Sequence, residues 1–194
     1  MLIESSIHVP HPIEDVWKFC QDVPQVAACL PGADLNEELG PDHYAGTVAI
    51  NMGPVRLKFA GEAKVLERDE ENKTIVIDAV GMDQTGGDRA SLDLTVKLAP
   101  HGRGTNLDVT QEIHLSGAAA QFGRGMIGDV TQVLMIDFGK NMQTRLDAFE
   151  RGIAAHEIQG SQRASGLAIG LRAAWMALKR VARRFFLPYE PNRV

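Results

Sequence analysis

The side chains able to do chemistry are few and scattered. The six histidines are His8, His11, His43, His101, His114 and His156. None falls at a spacing that closes a metal site. His8 and His11 flank the first predicted turn and read as surface groups. Asp83, Asp88 and Asp93 lack the spacing of a calcium loop and read as facing water. The run GGDRAS at 86–91 looks like a phosphate loop, but it enters a strand, so it reads as a turn. No GxSxG elbow, HExxH pair, Walker loop or GxGxxG turn precedes a suitable helix, and no nucleophile has a plausible base. These residues point away from an enzyme.

What the chain does offer is a contrast of charge. Its net charge is −5. Residues 1–162 carry 13 basic against 24 acidic groups, whereas residues 163–194 carry 7 against 1. An acidic body excludes nucleic acid as a partner, because phosphate binding needs a basic face. On a helix at 3.6 residues per turn, Leu167, Leu171, Trp175, Leu178 and Phe185 share one side of the 167–187 stretch. Arg172, Lys179, Arg183 and Arg184 share the other. A cationic face backed by Trp and Phe is the pattern of a helix lying in a membrane interface. Docking on a partner protein or back on the acidic body remains open for the same helix.

The elements that must position any site follow from periodicity. Residues 2–9 alternate and read as a strand. Pro12, Glu14 and Asp15 open a short helix, and Asp22 with Pro24 opens a second, stopped by CLPGA at 29–33. From 34 to 116 the period is two, with strands at 34–39, 43–51, 55–66, 74–81, 89–98 and 105–115. Short joints rich in Gly, Pro, Asn and Asp make these an antiparallel meander. From 118 the period becomes helical. Ile127, Thr131, Leu134, Met135, Phe138, Met142, Leu146 and Phe149 fall on one stripe, with Asp129, Asp137, Lys140 and Thr144 opposite. The fold class is α+β, a curved antiparallel sheet wrapped around a long C-terminal helix, plus an amphipathic tail. The divisions are a binding domain at 1–150, a tether at 151–166, the basic helix at 167–187 and an irregular terminus at 188–194. A flexible tether of that length spans about 20 Å.

A sheet curved around a helix either fills the space between them or leaves a chamber. The dry face carries Gly46, Gly61 and Ala63, and the helix opens with Gly123, Gly125 and Gly128. Glycine in a helix costs about 1 kcal/mol against alanine, so the cluster needs a reason. Room for a ligand is one; an irregular first turn is the other. A chamber would be lined by Leu30, Tyr44, Val48, Ile50, Leu57, Phe59, Met82, Phe122, Met126, Ile127, Thr131, Leu134 and Met135. Phe122, Met126, Val130 and Val133 form a second stripe, readable as a portal lip or as contact with the short helices. Tyr44, Gln121 and Arg124 are the candidate hydrogen-bond donors. Cys20 and Cys29 lack CxxC spacing and read as reduced thiols of a cytosolic protein. The opening residues show no signal peptide, and no apolar run is long enough to span a bilayer.

Several spaced motifs occur in a specific order. They are CLPGA, the hairpin YAGTVAINMGPVRLKFAG, the strand GDRASLDL, GTNLDV, and GAAAQFGRGMI at the head of the long helix. Together they resemble the CoxG family of carbon monoxide dehydrogenase subunits, within the START-like, or SRPBCC, superfamily, over about residues 1–150. The resemblance implies a helix-grip fold and a non-catalytic accessory role beside molybdenum carbon monoxide dehydrogenase. It implies a greasy cavity able to hold a respiratory quinone, menaquinone or ubiquinone, as a bound and not covalent ligand. The expected partners are the dehydrogenase, a hydrophobic small molecule and the anionic inner membrane surface. The expected location is peripheral on the cytoplasmic face. The alternative is a recruitment or assembly factor for the dehydrogenase with no ligand.

Overall fold

The structure is a computed structural model that describes residues 1–52, 55–84, 87–117 and 119–152. In chain order the elements are β1 (Leu2–Val9), α1 (Ile13–Cys20), α2 (Val23–Ala27), β2 (Ala33–Gly40), β3 (His43–Met52), β4 (Val55–Asp69), β5 (Thr74–Asp83), β6 (Arg89–His101) and β7 (Gly104–Leu115), then a 3-10 turn (Ala119–Phe122) and α3 (Gly123–Glu150). The expected tether, basic helix and terminus lie outside the described residues, apart from Arg151 and Gly152. So do all the predicted membrane-binding side chains from Leu167 to Phe185. Among the described residues no helix is long and apolar enough to cross a membrane.

Seven strands form one antiparallel sheet in the order β1-β7-β6-β5-β4-β3-β2. The meander from β2 to β7 follows from its tight joints. Asp42 and Lys73 take positive φ at two of them, and Asp69 caps the second by accepting the Asn72 N–H at 2.9 Å. Strands run up to three residues further than expected because the ladders continue past the apolar residues into the turns. Asp22 caps α2 as expected, accepting the Gln25 N–H at 3.1 Å.

Alternation buries one sheet face against α3. The larger apolar cluster joins Ile7, Val9, Leu98, Leu107 and Val109 of the sheet to Trp17 and Phe19 of α1 and to Met142 and Leu146 of α3. A smaller one joins Leu57 and Phe59 to Val130, with Ile50, Ala90, Leu115 and Leu134 against it. Close packing of α3 on β1 requires Gly139, where a Cβ would stand 2.6 Å from the Ile7 Cγ2.

Four expectations about polar residues and the core stripe are overturned. His11 is not a surface group: it is 3 % exposed, and its Nδ1 and Nε2 meet Glu150 Oε1 at 3.0 Å and Asp147 Oδ1 at 2.9 Å. Asp83 and Asp88 do not face water. Asp83 is buried and accepts the Lys58 N–H at 3.0 Å, and Asp88 packs against Gly117. Asp129, expected on the wet side of α3, is buried as well. Phe149, at the end of the expected core stripe, is partly exposed and leans on Phe19 with ring centroids 6.0 Å apart.

Candidate ligand-binding site

Register decides which side chains share the concave face, because residues directly opposite in a sheet project to the same side. Gly46 on β3 stands opposite Gly61 on β4, Gly61 opposite Gly81 on β5, Gly81 opposite Ala90 on β6, and Ala90 opposite Leu115 on β7. The next row toward the larger cluster is Tyr44, Ala63, Ala79, Leu92 and Ile113. Across β3, β4 and β5, five of these six positions carry no more than a methyl group. The two apolar clusters lie on either side of this band. Gly61 also permits close approach: a Cβ there would collide with the Val80 carbonyl and stand 2.6 Å from the Gly81 Cα.

The expected lining residues divide. Ile50, Leu57, Phe59 and Leu134 meet around Val130, and Val48 stands opposite Phe59 on the same face. Thr131 is buried on α3, Ile127 is half-buried, and Met135 packs against the larger cluster. Leu30 is half-buried beside the buried Cys29. Met126 is 45 % exposed, at the rim of α3. Met82, expected in the lining, is not on the concave face. It pairs with Ala60 and Arg89 on the opposite face of β5 and is 48 % exposed. One residue of register separates it from Gly81, and in a strand one residue reverses the side. The side chain of Phe122 lies outside those the structure describes.

Of the candidate donors, Gln121 and Arg124 are exposed. Tyr44 is on the concave face, and burial, with Glu38 and Asp42 nearby, holds its phenol above the ordinary range. The donor that sequence reading misses is Gln111. It sits on β7 between Val109 and Ile113, on their face, at 5 % exposure, and its Nε2 has no hydrogen-bond partner among the described residues. The signal is present: position 111 is the polar break in the alternation Leu107, Val109, Ile113, Leu115.

Polar ties fix α3 over this surface. Asn141 Nδ2 donates to the Cys29 carbonyl at 2.9 Å, and Arg145 Nη1 donates to Gln25 Oε1 at 2.8 Å. Cys29 Sγ donates to the Gln25 carbonyl at 3.3 Å. Burial pushes both thiols up to about 12; Cys29 adds to the effect at Cys20, while Arg145 opposes it at Cys29. His11 lies between Asp147 and Glu150, one carboxylate on each ring nitrogen, so the imidazole ties the first turn to the end of α3. A surface depression of about 380 Å³ lined by Glu4, Ser5, Ser6, Asp108, Val109 and Thr110 lies along β1 and β7, away from the small-residue band on β3 to β5.

A curved antiparallel sheet, two short helices between its first two strands and a long C-terminal helix against its concave face define a START-like helix-grip protein. The same fold occurs in a conserved protein from Geobacillus kaustophilus (TM-score 0.67, 23 % identity), covering 76 % of this chain and 95 % of that one. It occurs in TTHA0849 from Thermus thermophilus (TM-score 0.55, 16 % identity, covering 77 % and 99 %). It occurs again in the Zhui aromatase/cyclase from Streptomyces sp. R1128 (TM-score 0.55, 14 % identity, covering 81 % and 98 %). No curated protein matches the chain in sequence. The chain belongs to the CoxG family of carbon monoxide dehydrogenase subunits, whose model matches residues 5–147.

Proposed function

We propose that this protein is a non-catalytic carrier that holds a hydrophobic lipid between α3 and the sheet. The ligand class is a respiratory quinone, menaquinone or ubiquinone. On this reading the protein links molybdenum carbon monoxide dehydrogenase to the membrane quinone pool. The observation that carries the proposal is the band of small residues centred on Gly46, Gly61 and Gly81, set between two apolar clusters. At Gly46 and Gly61 a Cβ would run into the backbone carbonyls of Asp34 and Val80, so close strand approach accounts for those two. At Gly81 it would make only ordinary contacts, and there a sheet built only to pack a helix gains by carrying a branched side chain.

The energetics suit an oily ligand. Apolar burial is worth about 25 cal/mol per Å², so each 100 Å² of isoprenoid tail covered contributes about 2.5 kcal/mol. A quinone head asks for only one or two donors. The basic 167–187 segment supplies the second half of the function. Each cationic side chain near an anionic leaflet is worth about 1 kcal/mol, and Trp175 and Phe185 add apolar burial. Family membership supports the dehydrogenase as the partner.

The test is organic extraction of freshly purified full-length protein, followed by mass spectrometry. A stoichiometric quinone is the expected result. Repeatedly empty extracts, with no uptake of added quinone, remove the carrier function and leave an adaptor that recruits or assembles the dehydrogenase.

A further inference from the structure

We infer that Gln111 hydrogen-bonds the polar head of the molecule held under α3, so that the ligand must carry an acceptor oxygen and is not a plain hydrocarbon chain. The inference rests on the carrier reading above and deepens it.

On the concave face Gln111 stands opposite Leu94 of β6 and Ile3 of β1, with Val109 and Ile113 two residues away on its own strand. Further along the same row lie Ile77 and Val65. All of these are aliphatic; the nearest polar residue on the same face of the sheet is Ser5, diagonally across on β1 opposite Val109. A carboxamide carries two N–H donors and an acceptor oxygen. Only the Nε2 of Gln111 lacks a partner among the described residues. Leaving a buried N–H donor so costs about 1–3 kcal/mol, and folded proteins tolerate few of them. A leucine or methionine fills the same space without that cost. An amide kept here therefore serves something other than packing.

Among the described residues two other buried side-chain nitrogens lack a partner, Trp17 Nε1 and Arg68 Nε. Each belongs to a side chain otherwise engaged. The Trp17 ring lies under Lys73, whose Nζ is 5.3 Å from its centroid, and Arg68 donates through Nη2 to Asp42 at 2.6 Å. Gln111 alone of the three faces α3 from the middle of a strand. It lies two inward-facing steps along β7 from Leu115, which ends the glycine row. Four residues of strand span about 13 Å. A head held at Gln111 thus sits toward the larger cluster, with its tail under the band of small residues.

The test uses the full chain and two probes, decylubiquinone and decylbenzene, which share a tail and differ in the carbonyl oxygens. Gln111→Leu is expected to weaken decylubiquinone binding at least tenfold and to leave decylbenzene binding within twofold. The same substitution is expected to raise the melting temperature of the ligand-free protein by a few degrees, because it removes an unsatisfied amide. Gln111→Met, closer in shape, should behave alike. Unchanged decylubiquinone affinity overturns the inference, as does an equal loss of both probes. A lowered melting temperature or failure to fold in both variants also overturns it, by making the amide structural. If the parent protein binds neither probe, the carrier reading falls and takes this inference with it.

Discussion

Gly61 and Gly81 face each other across β4 and β5, so close that a Cβ on the first would stand 2.6 Å from the Cα of the second. The two positions answer different questions. At Gly61 an added methyl group meets backbone, which cannot swing away. Gly61→Ala should therefore cost about 2–4 kcal/mol, as strained or overpacked sites do. At about 2–4 °C per kcal/mol for a chain of this size, calorimetry should show a fall of roughly 5–15 °C. At Gly81 a Cβ would make only ordinary contacts, 3.4 Å from the Phe59 Cβ and 3.5 Å from the Ala60 carbonyl oxygen. Gly81→Val should fold and project its methyl groups from the concave face toward α3. Extraction should then yield less quinone per mole than from the parent protein. Equal yield at equal stability would mean that the band is not where the ligand lies.

His11 gives a stability prediction. Its ring is buried and bonded at both nitrogens, and its carbonyl accepts the Thr105 Oγ1–H at 2.8 Å. His11→Ala deletes a buried ring and two ties to α3. The carboxylates left behind are partly solvated, at 37 % and 60 % exposure, so they lose a partner without being stranded. A loss of about 1–3 kcal/mol is expected, read as a lower urea midpoint with unchanged slope. A neutral result would show that the first turn holds its place without α3.

The thiols predict an alkaline limit. Both have an ordinary value of 9.0 and are held at about 12 in the fold. Between pH 9 and 12 the unfolded chain has released these protons and the folded chain still keeps them. The unfolded state then binds fewer protons, so stability falls as pH rises through that window, by about 1.4 kcal/mol per pH unit for each thiol. Below that window the two states are alike and no dependence arises from them. Cys20→Ala with Cys29→Ala should flatten the alkaline limb of a melting-temperature profile. In the parent protein, alkylation at about pH 8 should be far slower than for a free cysteine. Rapid labelling of folded protein would contradict the burial.

Most of this fold is legible in the sequence because period-two and period-3.6 patterns are local signals, and the strands and α3 appear where those patterns place them. What is not legible depends on register or on distance along the chain. Met82 reads as a pocket residue by type, yet it is one position out of phase with Gly81. The glycines are visible singly, but their alignment into one row depends on two turn lengths and on the bulge between Val65 and Glu67. His11 meets Asp147 across 136 residues of sequence, and nothing in a local window joins them. Gln111 is visible as a break in an apolar alternation. It escapes notice because a strand tolerates one polar residue whenever that residue faces outward, and only the register shows that this one faces in.

If residues 167–187 lie in the membrane interface, two independent forces hold them there, and each can be removed alone. Arg172→Glu with Lys179→Glu and Arg183→Glu reverses the attraction to an anionic leaflet, which salt also screens, since the Debye length is about 8 Å at physiological strength. Trp175→Ala with Phe185→Ala removes apolar burial, which salt does not screen. In co-sedimentation with phosphatidylglycerol-containing vesicles, the charge-reversed chain should stay in the supernatant. The aromatic variant should bind more weakly and release more readily as salt is raised, because only its charge remains. Deleting 166–194 should abolish sedimentation and leave the melting temperature of the sheet and α3 within a few degrees of the parent. Sedimentation that persists after the deletion would move the membrane contact onto the acidic body, where the charge balance gives it no physical basis.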